Sequence, residues 1–131
     1  MNVKKRVLLS IMSAFCLASM FLDWLGVVGI NEIRGIDICP MAIPAFLLIY
    51  VGIWFKDGDL LFAILGSLLL LIAEIVAFLT WHIGTITGNL DLGFSIEFSL
   101  PGFYAALSLT LLMLVFFNVT KYRQKLISKK C

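Results

Sequence analysis

Charge is what this sequence has least of. Asp, Glu, Lys and Arg make up 14% of its 131 residues, where a soluble domain carries about 25%. The deficit excludes a water-facing surface over the whole chain and points to lipid as the main solvent. Histidine occurs once, as His82, and cysteine three times, as Cys16, Cys39 and Cys131, with no CxxC pair. That scarcity leaves no metal-ligand spacing and no disulfide framework. An HExxH helix, a glycine-rich phosphate loop, a Ser-His-Asp set and a cofactor fingerprint are also missing. The expectation is a non-enzymatic protein with no catalytic residues, cofactor or metal site.

What is abundant is apolar length. Hydrophobic residues make up 62% of the chain and fall in four runs, at about 7–25, 39–55, 60–81 and 100–120. Each approaches the roughly 20 residues that a helix needs to cross hydrocarbon. The spacing predicts an all-α membrane protein, a four-transmembrane-helix bundle forming one integral membrane domain over 1–131. The first run follows Lys4-Lys5-Arg6 as a secretory signal would. It continues through Phe21-Leu22 to Trp24-Leu25 and no good small-x-small site follows the hydrophobic stretch, so an uncleaved anchor is expected. Pro40 and Pro44 fall in the first turns of the second run, where a missing N–H is tolerated. Lys56-Asp57-Gly58-Asp59 reads as a tight turn that makes the second and third helices antiparallel neighbours.

The few charges are strongly segregated. Lys4, Lys5, Arg6, Lys56, Lys121, Arg123, Lys125, Lys129 and Lys130 all fall on one side of the four runs, and only Arg34 falls on the other. Basic residues near span ends stay on the cytoplasmic side. Both termini are therefore expected in the cytoplasm and the protein in the plasma membrane, with outer loops 26–38 and 82–99 and a basic cytoplasmic tail 121–131. A tail of this kind is attracted to anionic inner-leaflet lipid by about 1 kcal/mol per Lys or Arg. It lacks the interleaved aromatics of a nucleic-acid surface, so nucleic acid is not an expected partner.

The outer loops echo each other. Trp24, Gly26, Gly35, Asp37 and Pro44 recur as Trp81, Gly84, Gly93, Glu97 and Pro101, as an internal duplication would arrange them. Residues 94–100 alternate apolar and polar, and 33–38 do so similarly, which predicts a small extracellular β-strand cap. Trp24, Trp81 and Tyr104 fall near the outer boundary, as in an aromatic belt. Arg34 is expected to pair with Asp37 or Asp91. His82 reads as an interfacial polar residue, and with Asp91 and Glu97 makes at most an unspecific cation cluster. Trp24, Arg34, Asp37, Trp81, His82, Asp91 and Glu97 are the candidates for outer-loop interactions.

Glu74 is the one charged residue deep in a run. An ionised carboxylate there costs at least about 2.5 kcal/mol, so it is expected to face the bundle interior or a wet cavity, and with no Lys or Arg beside it the neutral acid is the expected form. Ala63, Ser67, Leu70, Glu74, Ala77 and Trp81 follow steps of three or four and mark that inward stripe. Counted inward from Pro101, Tyr104 and Ser108 bracket the depth of Glu74, as Cys16 and Ser19 do on the first helix. A Glu74 bond to Tyr104 or Ser108 is the expected contact.

The layout, with Trp24, Gly26, Gly35 and Asp37 in the first outer loop and a basic tail after the last run, resembles small bacterial four-span membrane proteins of unknown function. The resemblance covers the whole chain, is one of topology and implies no activity. The chain departs from claudin-like proteins, whose outer-loop cysteine pair it lacks. It departs also from small multidrug transporters, whose essential Glu lies in the first helix. The expected function is that of an accessory, regulatory or protective (immunity-like) partner of another membrane component, working with a membrane protein or as a homo-oligomer. The alternative is a small oligomeric transporter or channel subunit with proton or cation coupling at Glu74.

Overall fold

The computed structural model describes residues 1–26, 32–55, 60–83 and 88–131, so the turn expected at 56–59 and the loop position Gly84 lie outside the described residues. The chain is mostly helical. Its elements are α1 (Val3–Ser19), β1 (Asp23–Leu25), β2 (Ile33–Arg34), α2 (Gly35–Ile38), α3 (Ala42–Trp54), α4 (Leu61–Thr80), α5 (Leu92–Glu97) and α6 (Pro101–Lys130). The four long helices pack in a ring in which α1 touches α3 and α6, and α4 touches α3 and α6.

Local chemistry explains most of the boundaries. The Asn2 side chain caps α1 by accepting from the Lys4 N–H, satisfying one of the donors that a helix start leaves free. Pro40 precedes α3, and Pro44 sits in its first turn. Pro101 opens α6 at the position where proline is pre-organised for a helix. Lys129 and Lys130 close α6, where their charge suits the negative end of the helix dipole.

Among the described residues only α4 and α6, at 20 and 30 residues, are long and apolar enough to cross a membrane. They coincide with the third and fourth expected runs, and α6 continues as helix through the basic tail. The other two are shorter than their runs, with 17 residues in α1 and 13 in α3. α1 stops at Ser19 although apolar sequence continues, because tertiary partners take over its last carbonyls. The Trp24 indole donates to Ser19 O at 3.0 Å. The Ile36 N–H donates to Met20 O at 2.8 Å, and the Gly35 N–H to Leu22 O at 3.2 Å.

β1 pairs antiparallel with β2, placing Asp23 opposite Arg34 and Leu25 opposite Ile33. A bridge from Leu25 to Ser99 extends this ladder to the segment before α6, through Leu100 N–H to Trp24 O at 2.7 Å and Gly26 N–H to Phe98 O at 2.9 Å. The strand expected over 94–100 is not there. Residues 92–97 form α5 instead, because Asp91 caps the Phe94 N–H at 3.1 Å and the i, i+4 pair Phe94 and Phe98 is in contact, with tilted rings 4.6 Å apart. Likewise 33–38 is strand for two residues only before α2 begins.

Close packing is concentrated between α3 and α4. A Cβ on Gly52 would run into the backbone of Ala63, and one on Gly66 into Ala45 O and Ile49. Small residues on both faces let the backbones approach, as in membrane helix pairs generally.

Candidate functional site

Glu74 is fully buried, on the α4 stripe Ala63, Gly66, Ser67, Leu70, Glu74, Ala77 and Phe78. The buried face of α6 is Phe103, Ala106, Thr110, Met113 and Phe117, again in steps of three and four. Where these faces meet, the Thr110 hydroxyl donates to Glu74 Oε1 at 2.8 Å. Cys16 Sγ lies 3.3 Å from the same hydroxyl oxygen. Thr110 has one proton and directs it to Glu74, so the Cys16 thiol is the donor in that second contact. The chain Cys16 to Thr110 to Glu74 thus ties α1, α6 and α4 together. Glu74 Oε2 has no hydrogen-bond partner among the described residues.

Tyr104 and Ser108 are not part of this chain. Both point away from the interior, and the Tyr104 hydroxyl lies 2.7 Å from Ser99 Oγ. Ser108 is two residues from both Ala106 and Thr110, about 200° around the helix from each. Thr110 lies about 3 Å deeper along α6 than the expected 104–108 bracket and on a different face from Ser108, so both depth and rotation decided the partner. The 103, 106, 110, 113, 117 periodicity is the signal that singles out Thr110.

The other end of the bundle is built on aromatics. Trp24 is wholly buried rather than in a belt. Its ring lies where any Cβ on Gly35 would fall, and it meets Phe103 edge-on at 5.5 Å. Phe78 stacks on Phe103 at 4.3 Å. His82 is also fully buried, not interfacial. Its Nε2 is 3.0 Å from Ser95 Oγ, and Ser95 Oγ donates to Phe78 O at 2.8 Å. Ser95 therefore accepts from His82, and Nε2 carries a proton. Trp81 and Phe94 flank the imidazole, with ring centroids 5.6 and 5.1 Å away.

The remaining outer candidates do not converge. Arg34, Asp37, Asp91 and Glu97 are exposed, and no hydrogen bond or ion pair joins Arg34 to Asp37 or Asp91. Asp91 caps α5, and Glu97 is its last residue. Among the described residues no three His, Cys, Asp or Glu side chains gather as a metal site. Ser95 was not singled out in sequence. Its contact with His82 joins residues 13 apart in sequence, a separation that no helix or strand period encodes.

Neither a family model, nor a curated protein, nor a solved structure matches this chain.

Proposed function

We propose that this chain is a plasma-membrane protein whose four long helices all cross the bilayer, with both termini cytoplasmic and the β1–β2 ladder, α2 and α5 forming an outer cap. In this reading it is a non-enzymatic accessory, regulatory or protective partner of another membrane component. Segregation of Lys and Arg supports the orientation. The shortness of α1 is accommodated because the backbone that follows it is hydrogen-bonded to the start of α2 and to the segment before α6. Non-helical backbone is tolerated at membrane depth when other parts of the protein satisfy it.

The observation that carries the functional reading is Glu74, whose buried carboxyl is joined to Thr110 and through it to Cys16. A carboxyl held in this way fixes helix packing, which leaves the outward apolar faces and the outer cap for recognition. In-membrane crosslinking followed by purification in mild detergent is expected to recover a second membrane protein. Recovery of this chain alone, together with ion flux in liposomes that Glu74→Gln abolishes, would overturn the accessory reading. That outcome would favour the transporter or channel subunit, to which the unpartnered Glu74 Oε2 lends support.

A further inference from the structure

We propose that the groove between α1 and α6 at the basic end of the bundle is a binding site for one anionic phospholipid of the inner leaflet. The proposal rests on the membrane reading above and goes beyond it, by replacing general attraction to the tail with a defined site. The groove holds about 450 Å³ and is lined by Lys5, Leu8 and Leu9 of α1 and by Val115, Phe116, Val119, Thr120 and Arg123 of α6.

Its chemistry is ordered along its length. Lys5 and Arg123 stand at one end, both exposed, and the apolar side chains continue away from them. Leu9 is only 2% exposed and forms the floor, while Leu8, Val115, Phe116 and Val119 stay open to the surroundings. From Arg123 to Val115 the helix rises about 12 Å, close to the roughly 15 Å of hydrocarbon in one leaflet. An acyl chain lying along this wall would bring its headgroup phosphate to Lys5 and Arg123. Neither α1 nor α6 contains an Asp or Glu, so no acid on either helix competes for that cation pair. Arg is well suited to phosphate because its planar fork donates two parallel hydrogen bonds. Charge complementarity therefore favours an anionic phospholipid over a zwitterionic one, and over a second copy of this basic face.

The test uses the full-length chain in mixed micelles containing equal phosphatidylglycerol and phosphatidylcholine of matched acyl chains, with retained lipid read by native mass spectrometry. The wild type is expected to keep phosphatidylglycerol in preference. Lys5→Gln with Arg123→Gln should weaken that retention about thirtyfold. The charge-matched pair Lys129→Gln with Lys130→Gln should change it less than about twofold. Val119→Trp, which fills the groove without altering charge, should displace the bound lipid. Circular dichroism establishes that each variant keeps its helix content. Equal losses in the two charge-matched pairs would mean diffuse attraction and overturn the site, as would a dimer that Val119→Trp dissociates. Vesicle flotation separates the two levels. A chain that floats but shows no preference sinks this site alone, whereas a chain that does not float sinks the membrane reading with it.

Discussion

The hydroxyl of Thr110 donates to the carboxyl of Glu74 across the α4–α6 interface at 2.8 Å, with both residues fully buried. Removing the donor while keeping the shape leaves a buried oxygen unsatisfied, which costs about 1–3 kcal/mol. Thr110→Val should therefore destabilise the protein by that amount, and Thr110→Ser by much less. Glu74→Gln keeps an acceptor for Thr110 and should stay within about 1 kcal/mol of wild type. Unfolding in mixed micelles followed by circular dichroism checks all three. Collapse of the Glu74→Gln variant would contradict the packing role.

Glycines at the α3–α4 contact should be intolerant of a single methyl group. Gly52→Ala and Gly66→Ala force the two backbones apart and should each cost about 1–3 kcal/mol. Gly93→Ala, whose added Cβ would meet only Asp91 Oδ1 at 3.3 Å, should change stability by less than about 0.5 kcal/mol. The same unfolding measurement distinguishes them. Similar losses at all three positions would count against close α3–α4 packing.

Two tryptophans separate buried from exposed indole bonds. Trp24 donates to Ser19 O in the buried interior, and Trp54 to Ser10 Oγ in an exposed setting. Trp24→Phe should cost about 1–3 kcal/mol, and Trp54→Phe less than about 1 kcal/mol. A Trp24 accessible to an aqueous quencher in the folded protein would contradict the buried position.

Ser95 fixes which nitrogen of His82 holds a proton. Side-chain ¹⁵N NMR should show a protonated Nε2 in the wild type. Ser95→Ala should perturb that resonance and cost about 1–3 kcal/mol, because the Phe78 carbonyl and the His82 imidazole both lose their Ser95 partner. An unchanged Nε2 resonance in the variant would refute the bond.

Orientation is tested by fusion. A reporter placed after Lys130 should read as cytoplasmic, and one inserted at Leu90 as external. The reverse result would refute the proposed topology.

Element type was legible where the apolar period ran long. The third and fourth runs became α4 and α6, and the stripe through Ala63, Ser67, Leu70, Glu74 and Ala77 became the buried face of α4. Legibility failed in the shorter segments. Alternation over 94–100 suggested a strand, yet the Asp91 cap produced α5. The apolar run past Ser19 suggested a longer first helix, yet bonds from Trp24 and Ile36 ended it.

By itself the sequence determined that Glu74 faces inward, because a lone carboxyl in an apolar helix has no cheaper place to go. Only the tertiary structure decided that Thr110 and Cys16 complete the Glu74 contact, and that Trp24 and His82 are interior residues. The reason is geometric. Periodicity specifies a helix face and an approximate depth, whereas a hydrogen bond also needs the rotation and separation of two helices, which the packing of glycines and aromatics elsewhere in the bundle sets.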